Sequence, residues 1–74
     1  MKFVINIEEN ADPNGIRFGA TVEGYDGWTI AENSLDELHH NTPGIIRDLI
    51  ETSNQNGANI PAATAFEFRF LVPA

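Results

Sequence analysis

The chain has no cysteine, only four Lys and Arg residues, and only two histidines, which are adjacent. Disulfides are therefore excluded, and the set of four ligands that a structural zinc needs is missing. The 74 residues suffice for one domain, 1–74, and a domain this small buries only ~60% of its unfolded surface. We expect close packing and self-association, most simply as a homodimer, to support so thin a core.

The shortage of basic residues makes the chain strongly acidic. Eleven Asp and Glu residues against four Lys and Arg give a net charge of −7 and a pI near 4.4. A negative field of this size repels nucleic-acid phosphates and anionic lipids. No apolar run approaches the ~20 residues of a membrane span, and the N-terminus alternates where a signal peptide would be continuously apolar. These features predict a cytoplasmic protein that binds neither nucleic acid directly nor membranes.

Four segments alternate between apolar and polar residues, the pattern of a half-buried strand. They are KFVINIE at 2–8, GIRFGATVEG at 15–24, WTIA at 28–31 and AFEFRFLV at 65–72. The turn-forming stretches ENADPNG and YDG separate the first three segments and predict two hairpins. The last segment places Phe66, Phe68 and Phe70 on one face. Because the chain lacks the basic groove of a single-stranded nucleic-acid platform, we interpret this stripe as core.

A helix is predicted after the third strand. Ser34, with Glu37 three residues later, forms a capping box, and the following apolar residues share a stripe about 140° wide at 100° per residue. The stripe consists of Leu35, Leu38, Thr42, Ile45, Ile46, Leu49 and Ile50. It favours one helix, 35 to about 52, bent at Pro43. The alternative is two short helices, with Thr42 capping the second and Pro43 as its first residue.

The histidines of this helix, His39 and His40, are poor candidates for a metal site. Adjacent helical residues point about 100° apart, whereas two histidines that share a metal are spaced at i and i+4. We interpret His39 as bordering the apolar stripe and His40 as solvated. The sequence also has no glycine-rich phosphate loop, no cysteine nucleophile and no carboxylate pair at strand ends. We therefore predict no catalytic, cofactor-binding or metal-ligating residues, and a protein that is not an enzyme.

The order β-β-β-α-β predicts an α+β fold. The fourth strand joins the first, so the mostly antiparallel four-stranded sheet has the order 3-2-1-4, with the helix packed on one face through a right-handed crossover. This arrangement resembles a partial ribonuclease H fold. The uncovered sheet face is expected to carry Lys2, Asn6, Arg17, Thr21, Glu67 and Arg69. The two edge strands, three and four, are candidate contacts for the homodimer.

Several of these stretches resemble one family. KFVINIEE, and DPNGIRFGATVEGYDGWTIAENSLDEL with the helix that follows, are similar to the N-terminal domain of HicB-like antitoxins and their small relatives of unknown function. The family's T/S-L-x-E-L/A helix start corresponds here to residues 34–38, and the likeness covers residues 2 to about 51. Two departures are VEGYDG in place of the frequent Pro-x-x-Pro-Gly and the lack of a DNA-binding segment after the domain.

The resemblance implies a non-enzymatic antitoxin-like module that masks a small, basic, HicA-like ribonuclease toxin. The positive charge is expected on the uncovered sheet face, so the partner-binding candidates are the acids of the first loop and the helix back. They are Glu8, Glu9, Asp12, Asp36, Glu37, Asp48 and Glu51. The alternative function is that of an orphan domain that assembles with itself or senses a small ligand.

Overall fold

One mixed sheet and one helix make up the fold in a computed structural model, which describes residues 1–12 and 15–71 and leaves out the side chains of residues 11, 12 and 16. The elements are β1 (Lys2–Asp12), β2 (Gly15–Val22), β3 (Thr29–Glu32), α1 (Leu35–Gln55) and β4 (Ala65–Phe70). The strand order is β3-β2-β1-β4. The two hairpins are antiparallel and β4 runs parallel to β1, so the predicted α+β fold and sheet order are confirmed.

The hairpin of β1 and β2 is longer than the sequence predicted. Its strands pair from Ile5 opposite Val22 to Asp12 opposite Gly15, so residues 9–12, which were expected in a loop, belong to β1. Residues 13–14 of the expected turn lie outside the described residues. In the described chain, β1 pairs with β4 only as far as Ile7, and β2 pairs with β3 only from residue 18 onward. The rest of the hairpin, residues 8–12 and 15–17, extends beyond these neighbouring strands.

The core lies between the sheet and the helix, as the alternation predicted. Its buried side chains are Phe3, Ile5, Ile7, Ala20, Val22, Ile30, Leu38, Thr42, Ile46 and Ile50. Phe66 and Phe68 of the aromatic stripe are half-buried against this cluster. Phe70 remains 41% exposed, so its assignment to the core was wrong. Val72, at the end of the predicted fourth strand, lies outside the described residues.

Helix α1 begins at the predicted cap. Ser34 has extended backbone angles, and its hydroxyl accepts the N–H of Glu37 at 3.1 Å. The Glu37 carboxylate accepts the Ser34 hydroxyl at 3.3 Å, whereas the predicted capping box would use the backbone N–H of Ser34. The helix therefore starts where the sequence indicated, with a different return bond.

Pro43 lies inside a single helix that continues to Gln55. The hydroxyl of Thr42 is fully buried and donates to the carbonyl of Leu38 at 2.5 Å. It therefore points back along the helix and does not cap a second one. The prediction of one helix is confirmed, and the alternative of two helices is wrong. Because Pro43 has no N–H, it cannot donate to the carbonyl of His39.

The segment from 56 to 64 returns the chain from α1 to the sheet. The side-chain amide of Asn54 donates to the carbonyl of Ile60 at 3.0 Å and accepts the N–H of the same residue at 2.8 Å. Further along, the N–H of Thr64 donates to the carbonyl of Met1 at 2.9 Å. These bonds hold the segment at both ends and set the start of β4 beside the start of β1.

Candidate protein-binding surface

The acids predicted to bind a partner do not form one patch. Glu8 and Glu9 are consecutive in β1, so their side chains leave opposite faces of the sheet. Glu8 pairs with Gly19 on the uncovered face, whereas Glu9 pairs with Phe18 on the helix side. Both are exposed, and the side chain of Asp12 lies outside the described residues. Because β1 continues where a loop was expected, Glu8 and Glu9 lie on opposite faces of the sheet.

The four helix acids are also divided. Asp36 and Glu37 occupy the first turn of α1, and all four acids of the helix are exposed. Asp48 and Glu51 lie on the exposed back of the helix, and Glu51 follows Glu37 by about 21 Å along the axis at ~1.5 Å per residue. A single protein contact at either end of the helix would therefore leave the other pair of acids in solvent.

Three of the predicted acids do lie at one end of the molecule. Glu32, at the end of β3, pairs with Phe18, which in turn pairs with Glu9. Because α1 begins three residues after Glu32, its first turn, with Asp36 and Glu37, lies at this same end. We call the set of Glu9, Glu32, Asp36 and Glu37 the acidic end.

Two members of this surface were missed by sequence reasoning. Glu32 follows the predicted third strand, 28–31, yet it belongs to β3 and continues the alternation of that strand onto the helix side. Its carboxylate accepts the side-chain amide of Asn41 at 3.3 Å. Phe18 alternates with Ala20 and Val22 and, as that pattern predicts, packs against the core, but it is only half-buried. It lies in the row between Glu9 and Glu32, and its ring meets that of Phe70 edge-on with centroids 6.2 Å apart. Two carboxylates of the acidic end, Glu9 and Glu32, therefore flank a partly exposed aromatic side chain.

The uncovered sheet face carries a chain of ion pairs. The Glu67 carboxylate is 3.3 Å from the Lys2 ammonium and 2.5 Å from Nε of Arg69, whose guanidinium also lies 3.7 Å from Glu23. The hydrogen bond from Arg69, with a further one from Lys2, lowers the pKa of Glu67 below its ordinary value. Three residues predicted for this face are thus placed there, and Arg69 and Lys2 are already paired with carboxylates.

The surroundings of the two histidines agree with the structural interpretation made from the sequence. The ring of His39 packs edge-on against Phe68 with centroids 4.5 Å apart, which confirms its predicted place at the border of the apolar stripe. His40 is exposed. Across residues 1–12 and 15–71, no three His, Asp or Glu side chains lie where they could hold a metal ion together.

Two shallow depressions contain none of the four acids of the acidic end in their linings. One, of about 230 Å³, opens on the uncovered sheet face where Gly19 and Ala31 leave space between Glu8 and Thr29. The other, of about 220 Å³, lies between Arg47 of the helix and Ala62–Ala63 of the returning segment. Small-molecule sites usually enclose about 300 to 1,000 Å³. Neither depression reaches that size, so a small-ligand sensor gains no support from them.

Comparison with known proteins found no matching family model, no matching curated protein and no matching solved structure. Within the described chain, α1 has neither the length nor the apolarity to cross a lipid bilayer. The likeness to HicB-like antitoxins and to a partial ribonuclease H fold therefore stays a prediction from sequence.

Proposed function

We propose that this chain is a cytoplasmic protein-binding module of antitoxin type, which captures a small basic ribonuclease through its acidic end. The observation that carries the proposal is the position of four carboxylates at one end of the fold, two of which, Glu9 and Glu32, flank the partly exposed Phe18. The family resemblance of residues 2 to about 51 supplies the class of partner, a HicA-like toxin.

The chemistry of the acidic end suits a surface rich in Arg and Lys. Carboxylates form charge-assisted hydrogen bonds with guanidinium and ammonium groups, and an aromatic ring can hold a cation over its face. A ribonuclease needs a basic surface because its substrate is anionic. An acidic module bound to that surface would occupy the place of RNA and so block cleavage.

Charge also determines how such a complex would form. The net charge of −7 on a small domain gives a long-range negative field, and complementary fields raise association rates more than they raise final affinity. Screening extends over about 8 Å at physiological ionic strength. Added salt should therefore slow capture, while the dissociation rate should change less.

The uncovered sheet face is a weaker candidate for the same contact. Its Arg69 and Lys2 already pair with Glu67, and a basic partner would have to approach these positive groups. For these reasons the acidic end is the better site for a basic protein.

A pair of matched double variants tests the proposal. E9K/D36K alters the acidic end and D48K/E51K alters the far helix back, yet each raises the formal net charge from −7 by 4, to −3. The partner would be a small basic ribonuclease encoded beside this chain, and its association rate would be measured at low and at physiological ionic strength. We expect E9K/D36K to slow association at least ~10-fold, whereas D48K/E51K should slow it much less.

Two results would count against the proposal. Equal losses in the two double variants would show that only total charge matters and that the acidic end is not the contact. No capture of the ribonuclease and no rescue of growth on co-expression would remove the antitoxin function, leaving the orphan self-associating domain. Circular dichroism of each variant checks that the helix remains folded, because D36K places a positive charge in the first helical turn.

A further inference from the structure

We infer that β4 is a self-complementary dimerisation strand, which pairs antiparallel with β4 of a second copy of this chain and places Phe68 opposite Phe68 on the two-fold axis. The inference specifies the strand and the register, which a general expectation of a homodimer does not. It rests on backbone direction, charge and exposure in β4, and it does not depend on the proposed ribonuclease partner.

Within the described residues, the backbone of β4 has one side with no neighbouring strand. The strand is at the edge of the sheet, with β1 as its neighbour. The N–H of Leu71 donates to the carbonyl of Ile7 at 2.8 Å, so this amide points toward β1. Since successive residues of a strand point their backbone groups to alternate sides, those of Phe66, Phe68 and Phe70 point to the free edge. An edge of this kind is a template for another strand.

Charge then selects one register among those that the backbone allows. Residues whose backbone N–H and C=O groups point to the free edge must face each other in the two strands. Phe68 of one copy can therefore lie opposite Phe66, Phe68 or Phe70 of the other. Opposite Phe66, the register sets Glu67 against Glu67, and opposite Phe70 it sets Arg69 against Arg69. Both arrangements place like charges directly across the pair. Only the register centred on Phe68 sets Glu67 against Arg69, and it does so twice.

The favoured register also uses the closer kind of strand pairing. With Phe68 opposite Phe68, the hydrogen-bonded pairs are formed by the phenylalanines. Glu67 and Arg69 then form non-hydrogen-bonded pairs, whose Cα atoms lie about 4.5 Å apart and whose side chains are nearest. Opposite charges in such pairs stabilise a ladder, and like charges destabilise it. The ion pairs of the uncovered sheet face would thus continue across the two-fold axis.

On the helix side, the same register covers exposed aromatic surface. Phe70, which is 41% exposed, would lie opposite the half-buried Phe66 of the second copy. Phe68, flanked by His39 at 4.5 Å, would meet its own copy at the axis. The two sheets would become one of eight strands, with the acidic ends at opposite ends of it. Both acidic ends would therefore stay accessible.

Charge on an edge strand has another common use, which is to prevent such pairing. Glu67 and Arg69 would do this if they only paired within the chain, with Lys2 and Glu23. The two explanations differ in what charge reversal does. A dimer strand with this register loses affinity when either charge is reversed, whereas a protective charge pair does not.

The experiment uses the single variants E67R and R69E, alone and mixed. E67R carries two positive charges on the uncovered face of β4 and R69E carries two negative charges. Each variant alone therefore places like charges across the axis twice. An equimolar mixture restores opposite charges in both cross-strand pairs, although within each chain the two charges remain alike. Repair of an ion pair inside one chain therefore cannot explain a recovered dimer.

We expect the wild-type chain to sediment as a dimer at micromolar concentration, each variant to dimerise at least ~10-fold more weakly, and the mixture to recover a dimer near wild-type affinity. Native mass spectrometry would identify the recovered species as one copy of each variant. Circular dichroism checks that both variants are folded. A wild-type chain that stays monomeric at millimolar concentration would overturn the inference, as would E67R and R69E dimers as tight as the wild type.

Amide exchange in the wild-type chain provides a second measurement that needs no variant. In the proposed dimer, the N–H groups of Phe66, Phe68 and Phe70 bond to the other copy, whereas those of Glu67 and Arg69 bond within the chain. Raising the protein concentration should therefore slow exchange at the three phenylalanines and leave the two intervening residues nearly unchanged. A concentration-dependent dimer without this alternation would place the interface elsewhere and refute the register.

Discussion

Replacing Pro43 with alanine should stabilise the protein. Proline in a helix interior costs about 3 kcal/mol relative to alanine, because it lacks the N–H and its ring crowds the preceding turn. The side chain of Pro43 is half-buried, and losing part of its packing offsets about 1 kcal/mol at ~0.8 kcal/mol per buried methylene. P43A should therefore raise the free energy of unfolding by about 1 to 2 kcal/mol. For a domain of this size the midpoint temperature should rise by about 4 to 16 °C.

Thermal unfolding by circular dichroism and urea titration would measure this change, at one protein concentration because association shifts the midpoint. Gly44→Ala is the matched control. Gly44 is the next helical residue and is exposed, and a Cβ added to it meets no atom within 4 Å. It should gain only the intrinsic helix preference of alanine, about 0.5 to 1 kcal/mol. If G44A gained stability while P43A lost it, the helix geometry that Pro43 imposes would be required for packing on the sheet, and the reasoning would be refuted.

Three further changes test other parts of the fold. Leu38→Ala removes a fully buried side chain and should lower the free energy of unfolding by about 2 to 5 kcal/mol in urea titration; a loss below about 1 kcal/mol would contradict its place in the core. Asn54→Ala removes both bonds to Ile60, so it should cost about 1 to 2 kcal/mol and speed amide exchange at Ile60, and unchanged exchange would show that the bonds do not hold the segment. The pKa of Glu67 is lowered, first by the hydrogen bond from Arg69, so its ionised form stabilises the fold above the ordinary carboxyl pKa, and this contribution is lost as pH falls through the lowered value. E67Q should therefore reduce the loss of unfolding free energy between neutral and acidic pH. An unchanged loss would argue against the ion pair.

The sequence by itself determined which side chains face the core and in what order the elements follow. Alternation in the strands and the apolar stripe from Leu35 to Ile50 indicate which side chains are removed from water on folding. The buried side chains of the structure follow this pattern closely. The sheet order followed from the need of the helix to cross one face and deliver the last strand beside the first. The stripe keeps its phase across Pro43, and it therefore also predicted a single helix.

Only the tertiary structure decided the length of the hairpin, and with it the faces of its acids. Backbone pairing between β1 and β2 can continue past the buried segment, because it requires N–H and C=O partners and not apolar side chains. The stretch from Glu9 to Asp12 therefore forms strand although its residue types are typical of turns, and Glu8 and Glu9 part to opposite sides.

Which charged side chains lie near each other likewise depends on how the strands and the helix pack, and no local sequence pattern contains that information. Glu9, Glu32 and Asp36 share one end because β3 pairs as far as Phe18 and the helix begins directly afterwards. Asp48 and Glu51 belong to the same helix but lie several turns away. The match of Glu67 with Arg69 in the proposed dimer could be inferred only once β4 was known to be an edge strand, since the direction of its backbone groups sets which residues can face each other.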